Sequence, residues 1–141
     1  MSSISREDLK RELRSGRLNP LYVLFGTETY LRDAAAKAIT EAALKGATLR
    51  EFNESSFALD SMDIHEALAA AYQMPMMGER RVVRITNFSK LRESDESALM
   101  RYIVRPVPST ILLLIAEDLD KRRKLTKALI DNCVSVEFAP A

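Results

Sequence analysis

Gly26-Thr-Glu-Thr-Tyr-Leu-Arg-Asp33 follows an apolar run and opens an alanine-rich segment, the position at which an α/β protein would cradle a phosphate. Laid against G-x-x-x-x-G-K-[ST], the run keeps Gly26. It puts Leu31 at the second glycine, Arg32 at the lysine and Asp33 at the magnesium-binding hydroxyl. Leu31 adds bulk where backbone must wrap a phosphate, and Glu28 places a carboxylate at a helix start that would otherwise attract anions. With one glycine in the loop, G-x-G-x-x-G is absent as well. The loop reads as a degenerate phosphate loop that does not bind nucleotide.

The other candidates for chemistry are thinner. Ile111–Asp118, ILLLIAED, ends like the acidic strand of an NTPase, but without a phosphate loop Glu117 and Asp118 are expected to sit near the next helix start and complement its dipole. His65, with Asp63 and Glu66 beside it, is the single histidine and is expected on a solvated helix face. Neither H-x-x-x-H nor C-x-x-C occurs, so no metal and no cofactor is expected. Ser2-Ser3 and Ser55-Ser56 lack a nucleophile elbow, and Cys133 reads as a small buried side chain at a strand start. Lys121-Arg-Arg-Lys124 could follow a phosphate backbone. Glu117, Asp118 and Asp120 offset it, and the expected role is a solvated helix face.

Gln73-Met-Pro-Met-Met-Gly-Glu-Arg-Arg81 holds three of the six methionines. Flexible, polarizable thioethers suit adaptable protein-binding surfaces, and Pro75 sets a bend that can turn Met76 and Met77 outward. Apolar residues at element ends also commonly plug a core. Residue types alone leave both roles open.

These segments need a scaffold. The chain has 141 residues, 47% of them hydrophobic and 29% charged, with a net charge of +1. That composition suits one globular domain with one buried core, and it lacks the basic footprint of a domain that binds DNA unaided. A lone cysteine fits a reducing cytoplasm, and neither a secretory pattern nor a membrane-length apolar run is present.

Ser5 with Asp8 forms a capping box, with Ile4 stapling to Leu9, and Gly16 ends that helix. Leu21–Phe25 reads as a strand covered on both faces. Thr27 caps a helix running to about Leu44, and Thr48–Asn53 forms a weaker strand. Asp60 or Ser61 caps a helix that Pro75 stops. Then come Arg81–Ile85 as strand, Glu93–Val104 as helix, Ile111–Ile115 as strand, Lys121–Ile130 as helix and Cys133–Phe138 as strand. Strands alternating with helices predict a three-layer α/β fold, Rossmann-like or P-loop-like, with a five-stranded, mainly parallel sheet and helices on both faces.

Three blocks, LYVLFGTETYLRDAA, FNESSFALDSMDIHEALAAAYQMPMMGERRVVRITN and LDKRRKLTKAL, together resemble the first domain of the DNA polymerase III delta subunits, the clamp-loader family. The resemblance spans nearly the whole chain. It implies a RecA-like fold without a working ATP site, and no intrinsic activity within the polymerase (nucleotidyltransferase) holoenzyme. The implied partner is the beta sliding clamp, which the family binds and opens. The family's hydrophobic wedge falls on Met76 and Met77, flanked by Gln73 and Met74, with Met77 standing where phenylalanine is usual. Family members are longer, so residues 1–141 are expected to be a single clamp-binding domain. The helical lid and the collar, which contacts the other loader subunits, would lie outside it. DNA contact is implied only within the whole loader. The rival readings are a nucleotide-binding P-loop-like enzyme, opposed by Leu31, Arg32 and Asp33, and a receiver domain. The latter lacks its acidic residues and lysine at Gly26, Thr86-Asn87 and Ala139.

Overall fold

A computed structural model describes residues 3–140, so Ser2 of the Ser2–Ser3 pair lies outside the described residues. The elements run β1 Ser3–Ile4, α1 Arg6–Arg14, β2 Leu21–Phe25, α2 Thr29–Ala43, β3 Glu54–Ala58 and α3 Ile64–Tyr72. They continue through β4 Arg81–Thr86, α4 Glu96–Val104, β5 Thr110–Ala116, α5 Lys124–Asn132 and β6 Val134–Glu137. The strands form one sheet in the order β1-β6-β2-β5-β4-β3, and every pairing is parallel.

Alternation along the strands divides the core in two. Leu21, Val23, Val83, Ile85, Leu112 and Leu114 face α3, α4 and α5, while Tyr22, Leu24, Val82, Ile111, Leu113 and Val136 face α1 and α2. Both faces of β2 and β5 are therefore buried, which explains their unbroken apolar runs LYVLF and TILLLIA. Among the described residues, no helix is long and apolar enough to cross a membrane.

The sheet has six strands, not five. The extra strand, Ser3–Ile4, is too short to show a period, and it pairs with Ser135–Val136 just before the Ser5–Asp8 capping box starts α1. Ile4 packs against the cluster that contains Leu9, as a staple should. The expected strand at Thr48–Asn53 is instead a 3-10 turn, Arg50–Phe52, and the strand lies at Glu54–Ala58. As an edge strand with a polar middle, Ser55-Ser56, β3 carries little apolar alternation for a sequence reading to detect.

Helix starts also move. Glu28, with no side-chain capping bond, stands at the helix start in place of Thr27, and its N–H donates to the Phe138 carbonyl. Asp63, boxed with Glu66, replaces Asp60 or Ser61. The last helix begins at Lys124, so Lys121–Arg123 form a turn ahead of it, and Glu117 and Asp118 lie too far back to complement its dipole.

Candidate functional site

Parallel strands give the sheet two chemically different edges. The loop after β2 lies at the edge where strands end, and the methionine loop before β4 lies at the edge where they begin. The two candidate sites are on opposite ends of the sheet.

At the strand-end edge, the positions matching a phosphate loop are occupied by the protein's own groups. Glu28 N–H donates to the Phe138 carbonyl at 2.9 Å, Phe138 N–H to Phe25 at 2.7 Å and Gly26 N–H to Ala116 at 3.2 Å. Gly26 has φ +129°, and Phe138 backbone atoms fill the space a Cβ there would need. Arg32 turns inward, its side chain only 11% exposed, and Nη1 donates to the carbonyls of Gly26 at 3.0 Å and Ala116 at 3.2 Å. Asp33 lies beside that guanidinium at 3.5 Å, while Leu31 lines a groove with Leu9, Leu13 and Phe138.

At the strand-start edge, α3 ends at Tyr72. Gln73 is extended at φ −76°, ψ 145°, as the backbone two residues ahead of Pro75 leaves the helix. The freed carbonyls are satisfied: Ala70 accepts from Gln73 N–H at 3.2 Å and from Arg81 Nε at 3.0 Å, and Ala71 accepts from Thr110 Oγ1 at 2.8 Å. Arg81, nearly buried, also donates from Nη1 to the Phe52 carbonyl at 2.8 Å. The side chain of Asn53 clasps Met76, taking its N–H at 2.7 Å on Oδ1 and giving Nδ2 to its carbonyl at 2.8 Å.

From this fixed base the methionines project outward. Met74 is 71% exposed, Met76 52% and Met77 79%, and Gln73 is exposed as well. Met77 has φ +51°, a left-handed conformation unusual for a non-glycine residue. Of the two roles left open by residue type, the core plug does not occur, since large apolar side chains here face solvent. The same edge exposes three residues that sequence reading missed: Phe52 before β3, Tyr72 at the end of α3 and Val104 at the end of α4. Tyr72 stacks edge-on against Tyr102, ring centroids 5.1 Å apart. The helix turns Ala71 inward, fully buried, and leaves Tyr72 on its outer side.

The remaining candidates are also placed. His65 Nε2 lies 3.2 Å from Asp95 Oδ1, whose other oxygen accepts from Arg92 Nε at 3.1 Å, so His65 has a cross-element partner rather than a purely solvated face. Asp63, His65 and Asp95 bring ligand atoms within 4.8 Å of one another, a spacing open to a small cation, although Asp63 already caps α3. Cys133 is buried, and burial pushes its thiol up to about 12. Arg122 pairs with Asp120 at 3.1 Å, while Arg123 pairs with Glu96 of α4 and is only partly exposed, which corrects the expected solvated run.

Known proteins fit this architecture. The sequence profile of the family described as DNA polymerase III, delta subunit, matches residues 22–139. DNA polymerase III subunit delta of Bacillus subtilis (strain 168) is 38% identical over 140 residues, covering 92% of this chain and 40% of that protein. The solved Bacillus subtilis DNA clamp loader delta protein aligns with a TM-score of 0.87 and 34% identity, over 96% of this chain and 42% of that one. A DNA polymerase III gamma subunit-related protein from Thermotoga maritima, 13% identical, shares the fold with a TM-score of 0.66 over 96% of this chain and 46% of its own. The chain thus spans about two-fifths of the length of its Bacillus relatives. A profile match over most of its residues, on a parallel sheet carrying the methionine loop, makes this chain a member of the DNA polymerase III delta subunit family.

Proposed function

We propose that the chain is the clamp-binding domain of a clamp-loader delta subunit, and that Met76 and Met77 form its hydrophobic wedge, with Gln73 and Met74 at the base. The wedge grips the beta sliding clamp and helps open it for loading onto DNA. The observation that carries this reading is the exposure of Met74, Met76 and Met77 on a loop whose ends are anchored by Arg81, Thr110 and Asn53. Exposed apolar side chains cost solubility and find their use when a partner covers them. Burying each of the two wedge methionines is worth roughly 1.5–3 kcal/mol, which bounds the strain that wedge insertion could impose on a closed ring.

The domain acts without ATP chemistry of its own, on a RecA-like frame whose phosphate loop is degenerate. This is supported by Arg32, which donates to the Gly26 carbonyl, and by Phe138, whose carbonyl takes the N–H of Glu28. ATP hydrolysis belongs to other loader subunits, which the delta subunit meets through a collar beyond these residues. DNA contact arises in the assembled loader, in the cytoplasm. The test is titration of the chain with the sliding clamp of the same cell. Saturable binding by the parent, lost in the folded Met76→Ala/Met77→Ala variant, supports the reading, and equal binding by both rejects it.

A further inference from the structure

The methionine loop has a sequence-distant support whose chemistry is unusual. Asn53 is completely buried and sits between the 3-10 turn and β3. Its backbone is committed on both sides, N–H to Arg50 at 3.0 Å and carbonyl from Val82 at 2.8 Å. Its side-chain amide then pairs with both backbone groups of Met76 and adds a longer bond to the Leu49 carbonyl at 3.4 Å. An amide side chain presents a donor and an acceptor in one plane, so Asn53 offers Met76 what a neighbouring strand would offer. Among the described residues, no other hydrogen bond joins residues 74–79 to the body of the protein.

We infer that Asn53 is a positioning residue for the wedge: a buried latch that fixes the Met76 backbone and so holds Met76 and Met77 in the orientation presented to the sliding clamp. This rests on the clamp reading above and assigns to that site a residue that makes no contact with the partner. Met77, the residue after the latched Met76, is left-handed at φ +51°. A non-glycine residue keeps such a conformation only where its surroundings determine it, and the clasp on its neighbour supplies that constraint. A loop already ordered before binding loses less freedom on docking, so the latch raises affinity without adding a contact.

Gly78 gives an independent way to disturb it. A Cβ at Gly78 would stand 3.1 Å from Asn53 Nδ2, and that nitrogen is held by two carbonyls, so it cannot easily move aside. Gly78 is exposed and is not in the left-handed region, so alanine there crowds the latch while leaving the core alone.

The experiment measures affinity for the sliding clamp of the same cell, thermal melting and amide exchange at Met76, Val83 and Ile85. It compares the parent with Asn53→Ala, Gly78→Ala and Met76→Ala/Met77→Ala. Leu129→Ala, a core truncation in α5, is the control for destabilisation alone. Below all melting temperatures, Asn53→Ala is expected to weaken binding on the order of tenfold and Gly78→Ala roughly threefold. Exchange at Met76 should speed up in both while Val83 and Ile85 stay protected, and Leu129→Ala should bind as the parent does. A folded Asn53→Ala with parental affinity overturns the latch, as does Leu129→Ala weakening binding as much as Asn53→Ala. Should Asn53→Ala unfold, Gly78→Ala decides by the same criterion, weaker binding supporting the latch and parental affinity overturning it. Parental affinity in Met76→Ala/Met77→Ala rejects the clamp reading itself. Lost binding there with parental affinity in a folded Asn53→Ala removes only the latch.

Discussion

The backbone of Phe138 occupies the space a side chain on Gly26 would need: its nitrogen lies 2.7 Å from the position of a Cβ there, and its carbonyl is closer still. The residue just after β6 is thus zipped onto the end of β2 and the loop that follows it, through bonds to Phe25 and Glu28. Gly26→Ala must either break this zipper or force φ away from +129°, at a cost of about 2–4 kcal/mol. Urea unfolding of the variant should show the loss as a lower midpoint with an unchanged slope.

The same geometry predicts no saturable ATP binding at micromolar nucleotide. Removing Arg32 by Arg32→Ala should not create it, because Phe138 still holds the N–H of Glu28 and Leu31 still replaces glycine. Equilibrium titration with labelled ATP checks both proteins, and micromolar binding by the parent that depends on residues 26–33 sinks the non-ATPase reading.

Truncating both wedge methionines to alanine should cost about 2–4 kcal/mol of clamp binding, on the order of a thirtyfold to thousandfold loss, with the melting temperature kept. Met77→Phe should hold or improve affinity, since a stiffer ring loses less freedom on docking. Met77→Gly separates fold from function. It relieves a left-handed conformation that costs a non-glycine residue about 1–2 kcal/mol, so melting should hold or rise while affinity falls.

Arg122 and Arg123, adjacent in sequence, should respond differently to charge reversal. Arg122→Glu acts at a side chain 91% exposed and should leave the melt within error. Arg123→Glu sets a carboxylate against Glu96 of α4 and should lose on the order of 1 kcal/mol. Neither change should alter DNA affinity, which is expected to be negligible in the parent. Tight duplex binding with a steep salt slope that these changes remove would show a phosphate-tracking role instead.

Burial raises the Cys133 thiol from 9.0 to about 12 and the Tyr102 phenol from 10.0 to about 12. Both groups hold their protons more tightly folded than unfolded. Above about pH 9 the unfolded chain has therefore released protons that the folded chain keeps, and stability falls as pH rises toward 12. Below pH 9 neither group contributes to the slope. In Cys133→Ala the decline should begin nearer pH 10, which urea midpoints measured across the alkaline range will show.

Sequence alone determined what depends on near neighbours. The unbroken runs of β2 and β5 declared strands buried on both sides, Ser5 and Asp8 marked the start of α1, and Leu31, Arg32 and Asp33 departed from a phosphate loop residue by residue. Each is a pattern a few residues long, set by strand alternation, helix capping or loop chemistry. The strand at Ser3–Ile4 and the shift of β3 to Glu54–Ala58 escaped because edge strands are short or polar and take their geometry from the partner they pair with. The methionine loop was visible as an odd composition, but that it faces solvent, with Met76 clasped by the amide of Asn53 23 residues upstream, shows only in the fold. Likewise, what packs against Gly26 comes from Phe138, at the far end of the chain, and what Arg32 turns inward to meet includes the carbonyl of Ala116. Such bonds join residues whose proximity exists only once a parallel sheet has closed, and no local pattern carries them.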